Sequence, residues 1–268
     1  METVSLVNSL HHRLSGERLA RHFRRWRTRD RAWLGRCVRL LGTVRVEGCR
    51  FDVSSPLISD ELKCRVFYGR YERTERELLR RHLPLHLPVV ELGGGMGLVA
   101  CIVNSRLHHP DQHVVVEANP LMLPLIERNR GLNGCRFELV HSAIGYAGSH
   151  VALTRGEDLL GSRFQAADDG DVPVIRLAEI LDRRGFATCT LICDIEGGEI
   201  ELVQNELATL RSRVDLIVLE EHPEYCAEPV RAGMFKLLAA NGFESIDALR
   251  KVHVFRNAHS GSRRESGA

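Results

Sequence analysis

No apolar run in this 268-residue chain reaches the ~18 residues that a membrane-spanning helix needs. The first residues also lack the apolar stretch of a secretory signal, so export by that route is not expected. Eight cysteines are scattered without a single C-x-x-C pair, mostly among apolar neighbours. That pattern points to reduced, buried thiols in a cytoplasmic protein and away from a disulfide framework. Aromatic residues are few, with nine Phe, four Tyr and two Trp, which leaves little to stack a sugar or a flat metabolite. No internal repeat is present. What remains is 44% hydrophobic and 27% charged residues, ordinary for a globular protein, at a length that suits one large α/β domain with additions.

The net charge of +2 hides an asymmetry. Residues 1–50 carry twelve Arg against four acids, while the remainder carries 25 Lys and Arg against 31 acids. Residues 1–42 read as a basic, amphipathic helical segment. Leu19, Phe23, Trp26, Trp33, Cys37 and Leu41 form a rough apolar stripe between arginines from Ser15 to Leu41. A docking or lid helix is the leading reading, followed by peripheral membrane contact through residues 15–41, with nucleic acid last.

The most informative segment is Val89 to Leu98. An apolar run ends in Glu91, Gly93, Gly95 and Gly97 follow at alternate positions, and Leu98 to Leu107 reads as helix. Strand, glycine turn and helix together open a nucleotide-binding α/β unit. A second strand, His113 to Val116, ends in Glu117, twenty residues after Gly97, where a carboxylate suits a pair of ribose hydroxyls. Two cofactor classes fit. Gly95-x-Gly97-x-x-Ala100 matches the fingerprint of an NAD(P)-dependent oxidoreductase. Glu91-x-Gly93-x-Gly95-x-Gly97 matches the acid-led loop of class I S-adenosylmethionine-dependent methyltransferases. A pyrophosphate has no use for the anion at Glu91, so the acid favours the methyl donor.

The fold expected is α/β, a doubly wound, mostly parallel seven-stranded sheet. Residues 43–70 form a small β addition, with strands at Thr43–Glu47, Arg50–Val53 and Lys63–Phe67 around a tight turn at Gly48. Residues 71–257 form the main domain. Its helices are Glu72–His82, Leu98–Leu107, Leu121–Arg130, Leu177–Arg184, Glu199–Leu210 and Val230–Asn241. Its strands are Val89–Leu92, His113–Glu117, Arg136–Val140, Thr190–Asp194, Val214–Glu220, Phe243–Asp247 and Val252–Arg256, with extra ones at His150–Leu153 and Val172–Arg176. Arg155 to Asp171 reads as a mobile loop, and 258–268 as a flexible tail. Cys189 and Cys193 share one strand face as core residues.

Chemistry in such sheets gathers at the carboxyl ends of strands. The residues there are Glu91, Glu117, the run Asp194-Ile195-Glu196-Gly197, and Glu220-Glu221-His222-Pro223. Glu196 and Glu199 also suit the N-terminus of a helix as dipole-complementing acids. Asp194, which ends an apolar strand, has less of a structural excuse. Three carboxylates, Asp194, Glu196 and Glu220, stand near adjacent strand ends, but their spacing does not demand a metal, and none is expected.

The string Asp194-Ile-Glu-Gly-Gly-Glu199 resembles the D-[IV]-E-G-x-E signature of the FkbM-type methyltransferase family. Tyr71-Glu72 before the glycine loop, Val116-Glu-Ala-Asn-Pro120, Ser142-Ala-Ile-Gly145 and Val218-Leu-Glu-Glu-His222 agree in order, over roughly residues 64–256. The resemblance implies a class I methyltransferase that binds S-adenosylmethionine, releases S-adenosylhomocysteine, and methylates a hydroxyl of a sugar, glycan or secondary metabolite. Cofactor contacts would then come from Tyr71, Glu72, Glu91, Gly93, Gly95, Gly97, Glu117, Ala118, Ser142, Ala143 and Asp194. Two departures stand out: Glu91 and Gly95 occupy places where the family usually has Asp and Asn, and Ala118 replaces a proline. An alcohol needs a base to become a nucleophile. Asp194 is the first candidate and His222 the second, with Glu196 orienting a neighbour or a substrate hydroxyl. The remaining alternative is a cofactor-binding module brought to membrane or nucleic acid by the Arg-rich segment.

Overall fold

The computed structural model describes residues 33–154, 163–166 and 170–259. Most of the basic segment and of the polar tail therefore lies outside the described residues, as does most of Arg155–Asp171. The chain divides into two units, Met1–Val44 with Val53–Tyr71, and Arg45–Asp52 with Glu72–Ala268.

In the first unit, residues 33–39 are helical (α1). A second helix, α2, runs over Asp60–Phe67. This corrects the strand expected at Lys63–Phe67. Ser59 caps the helix by accepting the Leu62 N–H at 3.2 Å, and Asp60 and Glu61 complement the first turn. The buried Lys63 ammonium pairs with Asp60 at 3.2 Å. The expected hairpin of strands β1 (Thr43–Val46) and β2 (Cys49–Asp52) belongs, from Arg45 onward, to the second unit. Its turn residues Glu47 and Gly48 have φ of 47° and 87°, the left-handed pair that a two-residue hairpin turn requires.

Helix α3 (Arg73–His82) leads into the sheet of the second unit. Strands β3 (Val89–Leu92), β4 (His113–Glu117) and β5 (Glu138–His141) enclose helices α4 (Leu98–Asn104) and α5 (Leu123–Asn133). A second, four-stranded sheet follows, of β6 (Ala143–Ile144), β7 (His150–Thr154), β8 (Arg163–Ala166) and β9 (Val172–Ile175), in the order β6-β9-β7-β8. Strand β8 falls inside the stretch read as a loop, and it pairs antiparallel with β7. Helix α6 (Leu177–Arg184) leads to β10 (Cys189–Cys193). The single helix expected at Glu199–Leu210 is two, α7 (Glu199–Asn205) and α8 (Leu207–Arg213), meeting at Glu206. Strand β11 (Val214–Glu220), helix α9 (Glu228–Ala240) and strands β12 (Phe243–Leu249) and β13 (Val252–Asn257) complete the unit.

The main sheet has the order β12-β13-β11-β10-β3-β4-β5. Strands β11, β10, β3, β4 and β5 pair in parallel, and β13 is antiparallel to both β11 and β12. It is the expected doubly wound α/β fold. Neighbouring strand residues alternate between two cores: Val90, Leu92, Leu191, Cys193, Ile217 and Leu219 on one face, Val89, Ile192, Leu216 and Val218 on the other. A sheet buried on both faces accounts for the unbroken apolar runs in the sequence. Cys189 and Cys193 lie in the first core, and all eight cysteines are free. No helix among the described residues is long and apolar enough to cross a membrane. One buried amide ties the pieces beneath the glycine turn. Asn129 accepts the Asp52 N–H and donates to the Met96 carbonyl, both at 2.8 Å.

Candidate functional site

The carboxyl ends of β3, β4, β10 and β11 lie side by side, in register at Val116, Leu92, Cys193 and Leu219. Each chain runs out of the sheet into the segment that the sequence singled out. At β3 it enters the glycine turn, where Gly93, Gly95 and Gly97 have φ of 92°, 53° and 77°. Gly93 is required by close approach: a Cβ there would stand 1.8 Å from the Asp194 carbonyl oxygen. Glu91 lies beneath the turn, closed off from solvent. Its carboxyl accepts the Ala100 N–H in the first turn of α4, whose N-cap, Gly97, has no side chain to offer. Oε2 of Glu91 stands 3.4 Å from Nε2 of His113. Burial pushes this carboxyl well above the usual carboxylate range and holds the His113 imidazole down, to about 3.

Glu117 stands at the end of β4 with each oxygen on a backbone donor, Gly95 N at 2.9 Å and Asn119 N at 2.7 Å. Burial raises its pKa, and the N–H groups of Asn119, Gly95 and Gly94 oppose that shift. The glycine turn is thus clasped to the acid that follows the next strand. Beyond it, Ser142 donates to the His141 carbonyl at 2.7 Å. Ala118 and Ala143 pack with Val151, Val172 and Val174 in a small apolar patch. Tyr71 belongs to the first unit, where the Arg65 guanidinium stands 5.5 Å from its ring. Glu72 opens α3 with a left-handed φ of 48°.

At β10 the chain leaves through Asp194, Ile195, Glu196 and Gly197. Glu196 has φ of 52°, a left-handed conformation that L side chains rarely adopt. His222, beyond β11, is the hub of this group. Its Nδ1 meets Glu199 Oε1 at 3.0 Å, and its Nε2 faces Asp194 at 3.3 Å and Glu196 at 3.4 Å. The ring stacks on Tyr225 with centroids 5.8 Å apart. Burial alone would lower the imidazole pKa, but bonds to Asp194 and Glu199 and their charges prevail, raising it to about 11. The carboxylates around it thus favour the protonated imidazole, a form in which His222 would hold Asp194 and Glu196 in place and would not take a proton itself. Burial raises Glu196 to about 7 against the lowering charge of His222, and raises Glu220 to about 7 with Asp194 adding to the shift.

Three participants were not picked out as site residues from the sequence. Glu199, read as a helix-terminal acid, is 3% exposed and binds the Ile195 and Gly197 N–H groups as well as His222, so it shapes the turn that carries Asp194 and Glu196. Tyr225 backs the imidazole. Glu75, on α3, is 4% exposed, and burial together with Glu72, Asp194, Glu91 and Glu220 pushes its carboxyl well above the usual range. The sequence held a signal for it. Glu75 precedes Leu78 and Leu79 by three and four residues, so an acid sits on the apolar stripe of its helix.

No family model and no curated protein matches the chain. Solved structures do align with it. A protein in the NADB-Rossmann superfamily from Streptococcus agalactiae is 14% identical over 68% of this chain and 67% of its own, with a TM-score of 0.43. A precorrin-6y C5,15-methyltransferase from Geobacter metallireducens is 14% identical over 76% and 92%, with a TM-score of 0.43. Aeropyrum pernix fibrillarin, in complex with S-adenosyl-L-methionine, is 14% identical over 65% and 68%, with a TM-score of 0.39. Scores this low carry no functional weight, and the reading below rests on the residues of this chain.

Proposed function

We propose that the chain is an S-adenosylmethionine-dependent methyltransferase that methylates a hydroxyl of a sugar, glycan or secondary metabolite. The observation that carries this reading is the bond from Gly95 N to Glu117 at 2.9 Å. In a dinucleotide site the N–H groups of the glycine turn hold a pyrophosphate. Here the central one holds a carboxylate; an acid there suits the ribose of either cofactor, but it would repel a phosphate and so favours a donor with positive charge. The NAD(P) alternative is disfavoured on the same ground. The resemblance of Asp194-Ile-Glu-Gly-Gly-Glu199 to the FkbM-type signature supports the finer reading.

In this reading Glu117 holds the ribose, Ser142, Ala118 and Ala143 border the base, and the glycine turn and Asp194 flank the methionine end. The donor supplies a methyl group on a sulfonium, which passes in line to a nucleophile. His222, clamped by Glu199, keeps its proton and fixes Asp194 and Glu196 on its Nε2 side. These two carboxylates are left to receive the acceptor's proton. The test is transfer of labelled methyl from S-adenosylmethionine to a panel of hydroxylated sugars and metabolites. Glu196→Gln is expected to lower kcat about 100-fold with the donor's KM within about threefold. Unchanged kcat in this variant would remove Glu196 from the chemistry, and no labelled product from any acceptor would count against hydroxyl methylation itself.

A further inference from the structure

Two groups of side chains at the strand ends each bring three potential ligand atoms within 4.8 Å of one another: Asp194, Glu199 and His222, and Glu75, Asp194 and Glu220. They differ in how their charge is balanced. The first contains its own cation, since the His222 imidazole bridges Glu199 and Asp194 at 3.0 and 3.3 Å. The second consists of carboxylates alone. Glu75 is 4% exposed and has no hydrogen-bond donor among the described residues, and the charges that act most on it are Glu72, Asp194, Glu91 and Glu220. Oδ1 of Asp194 makes no well-directed hydrogen bond and stands 3.3 Å from the His222 Nε2. Burying the Glu75 carboxyl this completely is costly, and with Asp194 already faced by His222 and Glu220 only partly buried, the unmet demand for positive charge lies on the Glu75 side of the group.

We infer that Glu75, Asp194 and Glu220 form a binding site for a hard divalent cation of the Mg²⁺ or Mn²⁺ kind. The three come from separate elements, α3, the turn after β10 and the end of β11, so the site exists only in the folded chain. All three offer oxygen, the ligand type such ions take, and a six-coordinate ion keeps further positions for water or an incoming hydroxyl. An ion there would stand beside the Asp194–Glu196–His222 group. It would lower the pKa of a coordinated hydroxyl, which answers the want of a neutral imidazole in the site. The inference concerns the ion alone and does not rest on the methyltransferase reading.

The test is titration of the full, chelator-treated chain with Mn²⁺, without any methyl donor, followed by electron paramagnetic resonance. One site is expected, weakened at least tenfold in Glu75→Gln and in Glu220→Gln. A melting scan shows that Glu75→Gln is folded. Replacing this buried carboxyl by an amide should leave its Tm without metal unchanged or raised, and the Mn²⁺-induced rise expected of the unaltered chain should be lost. Failure of the unaltered chain to bind Mn²⁺ overturns the inference, as does undiminished binding by Glu75→Gln. Loss of the ion in His222→Asn with retention in Glu75→Gln would place it in the other group and also overturns it. If Mn²⁺ does not bind but Glu75→Gln weakens S-adenosylmethionine, the cation these carboxylates serve is the donor's ammonium.

Discussion

Gly93→Ala is expected to be the most damaging single methyl group that can be added near the site, costing more than about 4 kcal/mol of stability. The new Cβ would lie 1.8 Å from the Asp194 carbonyl oxygen and 2.8 Å from its carbon, so backbone meets backbone and no rotamer relieves it. The left-handed φ of 92° adds strain for any L side chain. Relief requires β3 and β10 to part at the point where Asp194 N bonds the Leu92 carbonyl at 2.9 Å. Thermal unfolding followed by circular dichroism reads the effect. Gly131→Ala is the control: that glycine lies within α5, and a Cβ there meets nothing within 4 Å. Its replacement should be neutral or stabilising by up to about 1 kcal/mol. Equal melting temperatures for the two variants would show that the glycine turn is not packed against β10 as described.

Glu117→Ala should weaken S-adenosylmethionine about 100-fold while leaving the chain folded. The Glu117 carboxylate ends β4 with two oxygens able to accept hydroxyl hydrogen bonds, and charge-assisted bonds of this kind contribute ~1.5–3 kcal/mol each. Part of that gain is offset, because Gly95 N and Asn119 N are already bonded to it and must share it with the donor. Isothermal titration gives the affinity. A change smaller than about threefold would mean that Glu117 braces the glycine turn and does not touch the donor.

The sheet was legible because strands buried on both faces are built around short apolar runs: Val89 and Val90 in β3, Val114 to Val116 in β4 and Leu216 to Leu219 in β11. Lys63–Phe67 misled for a physical reason. The run Lys63-Cys-Arg-Val-Phe67 alternates like a half-buried strand, but the decisive information lay upstream in the Ser59 cap and the two acids after it. The break between α7 and α8 falls at Glu206, which is buried and whose Oε1 accepts the Ala178 N–H at 3.4 Å, a contact no local pattern announces. Strand β8 exists through its pairing with β7, which a glycine- and acid-rich sequence does not suggest.

In the site, the strand-end rule found Glu117, Asp194, Glu196 and His222, because an acid or imidazole that ends an apolar strand is poorly explained by packing. Roles were harder. The charge state of His222 depends on three carboxylates, two from the turn after β10 and one from α7, brought together only by folding. Glu91 was expected at the donor's methionine end, and it lies buried beneath the glycine turn with the Ala100 N–H of α4 lowering its pKa against burial. Both uses fit an acid before a glycine turn, and sequence alone does not separate them. Glu75 was missed because an acid at the start of a helix has so common an explanation in the helix dipole.

The central claim is that the glycine turn, closed by Glu117, takes a cationic methyl donor and not a dinucleotide. Titrating the full chain with S-adenosylmethionine and, separately, with NADH tests it most directly. The account predicts saturable heat with S-adenosylmethionine and none with NADH at the same concentrations. Saturable binding of NADH with none of S-adenosylmethionine would contradict it and restore Gly95-x-Gly97-x-x-Ala100 as a pyrophosphate loop.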